Sequence, residues 1–254
     1  MTFNRRIIFA ALTSILALLF HVNALAQSEN RSRTIKEIAS LKKQLSEKEK
    51  LFLSPSSEDL AAFAEFLKRP NTGLIRIFPR RLYENWLTIR GGGAYYSFTR
   101  LTHEYGQGSD IELLPVPTNG LVVPPTAEYI FQVGFAGADY GFIVTLGNVP
   151  LEKVTIDHGG VKFLVDYNPP SAEPQARSEF RRSQDGVGKN GYSYRREAPV
   201  IVNYTYALRS INYNTSDVLV AFRVVRRESD GSVVILWKRL KQFSKPDLIR
   251  TASK

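Results

Sequence analysis

Three runs near the C-terminal end of the chain constrain its fold most. Val200, Val202, Tyr204, Tyr206 and Leu208 recur every second residue, as do Val218, Val220, Phe222 and Val224, and then Val233, Ile235 and Trp237. A period of two is the repeat of a β-strand, whose successive side chains point to opposite faces. The links are short and polar, Asn212-Tyr213-Asn214-Thr215-Ser216 and Glu228-Ser229-Asp230-Gly231. The pattern predicts a three-stranded antiparallel meander with one apolar face. The other face carries Arg209, Arg223, Arg227 and Lys238, which predicts a basic, solvent-facing sheet surface.

Upstream, further strands are predicted over 74–78, 87–90, 94–101, 110–114, 129–135, 140–146 and 161–167, with a hairpin turn at Ala136-Gly137-Ala138-Asp139. Two helices precede them. The first, over 33–53, places Ile35, Ile38, Leu41 and Leu45 at helical spacing and continues to Phe52. The stripe is shorter than the three or four heptads a coiled coil wants; it reads first as a helix packed on the main domain, and otherwise as an amphipathic spacer or a short self-association element. The second begins at Ser54-Pro55-Ser56-Ser57-Glu58-Asp59, where serines suit free amides and acids suit the helix dipole. The expected class is α+β: N-terminal helices followed by a mainly antiparallel β domain. The expected organisation is a signal segment 1–26, a helical spacer 27–53, one domain over 54–245 and a tail 246–254. Pro169-Pro170 mark an internal loop boundary near 168–192, and the polar residues 171–190 read as a short helix followed by a mobile loop.

Arg5-Arg6, the apolar run Ile7–Phe20 and Ala24-Leu25-Ala26 have the order of a secretory signal. The run is shorter than the roughly 20 residues that span a bilayer. Cleavage after Ala26 and an exported location are expected: periplasm, cell surface or extracellular space. An uncleaved anchor is the alternative. There is no cysteine, and Met1 is the only methionine. Thiol chemistry and disulfides are therefore excluded, and a bacterial envelope protein is expected.

The net charge of +10 is uneven. Residues 27–169 balance sixteen Lys/Arg against sixteen Asp/Glu, whereas residues 170–254 set sixteen against eight. Such asymmetry points to an anionic partner. In this compartment the candidates are anionic lipid, lipopolysaccharide or an acidic glycan; nucleic acid is disfavoured.

Motifs for catalysis are weak. Gly186-Val187-Gly188-Lys189-Asn190-Gly191 matches G-x-G-x-x-G, but it lacks the preceding strand and following helix that phosphate binding requires. His103-Glu104-Tyr105-Gly106-Gln107 lacks the second histidine of a zinc helix. No metal and no cofactor are implied. Asp110 and Glu112, roughly 7 Å apart along a strand, and His103 are the only catalytic candidates. The segment from Arg90 through Gly91-Gly92-Gly93, Tyr95, Tyr96 and Arg100 combines close backbone approach with aromatic and cationic donors. The candidate binding residues are therefore Arg90, Tyr95, Tyr96, Arg100, Arg209, Arg223, Arg227 and Lys238. The expected function is non-enzymatic: an exported protein that binds an anionic envelope component through the basic C-terminal sheet. The alternative is a secreted hydrolase acting on a glycan or ester.

Overall fold

The computed structural model describes residues 29–103, 105–106, 108–116, 128–135 and 138–250. The predicted signal lies outside them, as does part of the predicted hairpin at 136–139. The chain divides into two units, one ending at Leu51 and one beginning at Phe52. The first contains most of helix α1 (residues 29–53), which is exposed on every side from residue 29 to 48.

The second unit opens with α2 (Ser57–Ala62) and α3 (Ala64–Leu67), followed by β1 (Thr72–Ile77), β2 (Tyr95–Tyr96), β3 (Ile111–Pro115), β4 (Tyr129–Gln132) and β5 (Tyr140–Gly147). Then come α4 (Gly159–Asp166), α5 (Glu173–Asp185), β6 (Val187–Lys189), β7 (Tyr192–Arg195), β8 (Glu197–Pro199), β9 (Thr205–Asn212), β10 (Ser216–Arg227) and β11 (Val233–Phe243). Helices followed by antiparallel sheet make this an α+β fold. The meander is present as β9-β10-β11, antiparallel throughout.

The meander forms the centre of a seven-stranded sheet ordered β1-β11-β10-β9-β5-β7-β6, and a smaller sheet is ordered β2-β3-β4-β8. One face of the large sheet, with Tyr206, Leu208, Val220, Phe222, Ile235 and Trp237, packs on Phe98, Ile111, Leu113 and Phe131 from the small-sheet side. The other face carries Phe142, Val144, Ala207, Leu219, Ala221 and Leu236, which pack against Phe66, Val161, Leu164 and Ala176 of the helices. The large sheet is thus a middle layer, buried on both sides.

That layering corrects the expectation of a solvent-facing basic sheet surface. Small residues at Ala207 and Ala221 leave room for helices, and side chains on both faces leave water. Arg209 is 1% exposed. Its Nε and Nη2 donate to the Asp217 carboxylate at 2.8 and 2.7 Å, and Nη1 donates to the carbonyls of Leu164 and Tyr167 at 2.7 and 2.6 Å. It therefore satisfies carbonyls at the C-terminal end of α4, where a cation also suits the helix dipole. Its guanidinium lies 3.6 Å from the centroid of the Phe243 ring.

Other departures have local causes. Residues 161–167, expected as a strand, lie largely in α4: His158 Nδ1 accepts the Gly160 N–H at 3.2 Å and starts a helix. A short apolar run does not distinguish strand from helix by period alone. The expected hairpin between 129–135 and 140–146 does not form, because β4 and β5 belong to different sheets. The chain crosses closely there; a Cβ on Gly141 would sit 2.3 Å from the Arg209 carbonyl oxygen and 2.5 Å from Val133. Residues 87–90 are irregular, with bends and the start of a turn, rather than strand. Only Tyr95–Tyr96 of the expected strand 94–101 forms a named strand. Residues 171–190, expected as a short helix followed by a mobile loop, contain α5 and then β6 of the β6–β7 hairpin, so the second part is ordered strand rather than loop. Its turn, Asn190-Gly191, has positive φ at both residues (53° and 79°), the geometry that Asn-Gly favours. The glycine-rich motif is therefore a hairpin.

Removing one partner of a buried ion pair leaves an uncompensated charge. Arg209→Met is expected to lower the unfolding free energy by about 3–5 kcal/mol in urea titrations. The double variant Arg209→Met/Asp217→Leu should recover much of that loss.

Candidate functional site

The glycine–aromatic segment is built into the core. Gly91, Gly92 and Gly93 all have positive φ, and a Cβ on Gly93 would meet the Leu53 side chain at 2.5 Å. Tyr95 and Tyr96 are buried, so their ring faces are not available for stacking on a ligand. Tyr95 meets Tyr105 and Phe135 edge-on, and Arg90 covers Tyr105 at 4.4 Å. Arg100 lies beside Gly108, where a Cβ would meet its guanidinium at 2.9 Å.

The three catalytic candidates engage different partners. His103 Nε2 is 2.7 Å from the carbonyl oxygen of Arg76 in the edge strand β1, and its ring meets Tyr96 edge-on. Burial pushes the imidazole down to about 4, so it is neutral near pH 7. Asp110 is fully buried. Phe98 N–H (2.7 Å) and Ser97 Oγ (3.3 Å) donate to one carboxylate oxygen, and Asn212 Nδ2 donates to the other at 3.2 Å. Burial raises this carboxyl to about 6 despite those donors. Glu112 is buried on the outer face of the small sheet, in register with Tyr95 and Gln132. Burial raises its carboxyl, opposed by the Tyr95 hydroxyl and by Arg80, whose Nη1 is 3.3 Å away. No hydrogen bond joins His103 to Ser97, Asp110 or Glu112 among the described residues. No group of three or more His, Asp or Glu side chains is placed to hold a metal ion among the described residues.

Most basic candidates of the C-terminal sheet are bound internally. Besides buried Arg209, Arg223 donates to Val149 O at 3.0 Å and Asn148 Oδ1 at 2.8 Å, which fixes the loop after β5. Arg227 lies over the Tyr129 ring at 4.4 Å. Arg226, which the sequence did not single out, makes a bidentate pair with Asp59 at 2.6 and 2.8 Å and ties α2 to β10.

Lys238 is different. It stands where β11 outruns β1, whose first residue Thr72 is its register partner. From Arg239 onward β11 pairs only with β10. Arg69, just beyond α3, acts on the charge of Lys238 at this overhang; Arg239 follows on β11, and Lys241 lies farther along it, over the Phe243 ring and near Asp217. Arg69 and Lys241 are exposed, and Lys238 and Arg239 half-buried. Asn71 anchors the group: its carbonyl accepts the Arg239 N–H at 2.8 Å, and its side chain bonds the guanidinium. Lys238 Nζ donates to Glu152 O at 3.2 Å. Burial lowers the Lys238 ammonium, and nearby Arg69 lowers it further against the pull of Glu152. The pull of Glu152 is stronger than the push of Arg69, so the lowering comes from burial rather than from crowding of cations. Two acids temper the cluster: Glu65 pairs with Lys68 at 2.6 Å, and the Glu152 carboxylate is near Lys238. Sequence reasoning missed Lys68, Arg69, Arg239 and Lys241, although Lys68-Arg69 and Lys238-Arg239-Leu240-Lys241 are visible as short basic runs.

The pKa shifts of His103 and Asp110 oppose each other. The low folded value of His103 gives stability that is complete above about pH 6.5 and lost as pH falls toward 4. The raised value of Asp110 gives stability that is present below pH 3.8 and lost as pH rises through about 6. Asp139, raised by burial to about 6, acts in the same sense as Asp110. Thermal melts between pH 4 and 6.5 should separate them. His103→Gln should make Tm fall with rising pH relative to the parent, and Asp110→Asn should make it rise.

No protein-family model, curated protein or solved structure matches this chain.

Proposed function

We propose that this is an exported, non-enzymatic protein that binds an anionic component of a bacterial envelope through the basic end of β11. The observation that carries the reading is the meeting of Arg69 with Lys238 where β11 outruns β1, with Arg239 and Lys241 following along the same strand. These cations come from two separate parts of the chain. The Lys68–Arg69 turn precedes β1, and antiparallel pairing with β11 sets it beside Lys238. Clustered cations raise the local potential and attract multivalent anions more strongly than dispersed ones.

The ligand chemistry is phosphate or carboxylate borne on a surface or polymer: anionic lipid, lipopolysaccharide or an acidic glycan. Export is supported by the signal pattern that ends at Ala26 and by the lack of cysteine. Among the described residues, no helix is long and apolar enough to cross a membrane. Attachment by charge therefore supplies a way for the exported chain to reside at an envelope surface.

The test is co-sedimentation with vesicles of phosphatidylglycerol, with lipopolysaccharide, and with an acidic polysaccharide, each across a salt series. The parent chain is expected to bind at least one, and to release as ionic strength rises. Arg69→Glu/Arg239→Glu/Lys241→Glu should weaken that binding at least tenfold. Arg177→Glu/Arg181→Glu, on α5, should leave it within twofold. Binding that survives the triple reversal refutes the site, and absence of binding to all three probes refutes the function.

A further inference from the structure

The loop that follows β1 holds an aromatic side chain in water. Trp86 is 82% exposed, more than any other large apolar side chain among the described residues, whereas Trp237, the other tryptophan, is 3% exposed. Exposing an indole is unfavourable, and here the backbone enforces it. Arg81 has φ of 73°, a left-handed conformation that a non-glycine residue rarely adopts. Tyr83 is fixed inward, edge-on to Phe52 and Phe78 at 5.1 and 5.2 Å. Its carbonyl accepts the N–H groups of Trp86 and Leu87 at 3.0 and 3.1 Å, which closes one helical turn. Gly92 lies against the backbone of Tyr83 and Glu84, where a Cβ would sit 2.6 Å from the Glu84 nitrogen. With Tyr83 turned in and the turn closed, Trp86 projects outward, and Leu82 of the same loop is exposed as well.

We infer that Trp86 enters the headgroup region of a phospholipid bilayer, and that this loop and the basic end of β11 attach to the same membrane surface. The inference rests on the envelope-binding reading above and selects lipid among its anionic candidates. An indole has an apolar body and a polar N–H, the combination that favours the boundary between headgroups and acyl chains. Neighbouring charges fit that boundary. Arg81 and Arg90 are exposed towards the two ends of the loop, and Glu84 is the one acid in residues 79–93. Arg80 is engaged by Glu112 at 3.3 Å. Exposed Leu82 suits acyl chains and offers a sugar no hydrogen bond. One short apolar insertion binds a bilayer weakly, and stable attachment needs a second signal such as a basic patch. Strand β1 supplies the spacing between the two. It is an edge strand of the large sheet, with Arg69 shortly before its first residue and the loop directly after its last. Its 6 residues span about 20 Å. A bilayer lying along that edge meets Arg69 and Lys238 at one end and Trp86 at the other.

Tryptophan emission reads the contact directly. Spectra of the exported chain and of Trp86→Phe differ by the Trp86 contribution, since Trp237 is buried in the core of both. Without lipid, that contribution is expected at the long wavelength of a solvated indole and open to quenching by acrylamide. Vesicles of phosphatidylglycerol should move it to shorter wavelength. Lipids brominated close to the headgroup should quench it more than lipids brominated at the chain end. Trp86→Ala should weaken vesicle binding by about tenfold and leave binding to an acidic polysaccharide unchanged. Vesicle binding with Trp86 emission unchanged overturns the inference and leaves attachment through β11 standing. No binding to vesicles also overturns it; if lipopolysaccharide and polysaccharide fail too, the proposed function falls with it. A Trp86 already shielded from acrylamide without lipid is covered by the chain itself or by a second copy, which overturns the inference. A shift induced by the polysaccharide instead assigns the indole to a sugar, with the same result.

Discussion

The Arg209–Asp217 pair joins the layers on the helix side of the molecule. Its four hydrogen bonds link β9 to β10 and both strands to the end of α4. Burying two charges is costly, and their attraction offsets that cost only when geometry and remaining donors are satisfied. Here both conditions hold. The carboxylate is engaged in bidentate fashion, Nη1 bonds two carbonyls, and Phe243 covers the guanidinium face. Nearby, Tyr167 passes the network outward, bonding Tyr140 at 2.6 Å and Glu179 of α5 at 2.7 Å. Both long helices are thus fixed to the central sheet by polar contacts set within an apolar layer. Such contacts are directional, and they select one placement of the helices among many that would bury similar area.

A sheet covered on both faces also explains which parts of the fold the sequence reveals. The strands of the meander alternate clearly, because β10 and β11 bury large side chains toward the small sheet. What the alternation conceals is the burial of the opposite face. Ala207 and Ala221 look like neutral positions in sequence, and Arg209 looks like a surface cation. Their roles follow only from the helices that pack above them, and those helices come from residues 159–185, whose period is ambiguous. The start of β9 was misplaced for a related reason. Val200 and Val202 continue the alternation, but Asn203 has φ of 68° and breaks the strand, so β9 begins at Thr205. The β6–β7 turn, by contrast, was legible in principle from Asn190-Gly191 alone.

Candidate sites fared by the same logic. Aromatic and acidic residues near glycines suggest a binding surface, yet here they fill the contact between the two sheets and its rim. Tyr96 and Phe98 belong to the inter-sheet core, and the Asp110 carboxylate accepts backbone and side-chain donors at its edge. Residue type shows what chemistry a side chain can do, whereas burial decides whether a ligand can reach it. The basic runs at 68–69 and 238–241 are too short to stand out individually. Arg69 and Lys238 come together only because β1 and β11 pair antiparallel.

The overhang of β11 bears on association as well as on binding. A strand edge with free backbone groups is a template for pairing with another chain, and lysine or arginine along it opposes such pairing by repulsion. Arg239 and Lys241 therefore discourage a second copy from adding to this edge, while leaving it open to anions, which carry no strand of their own.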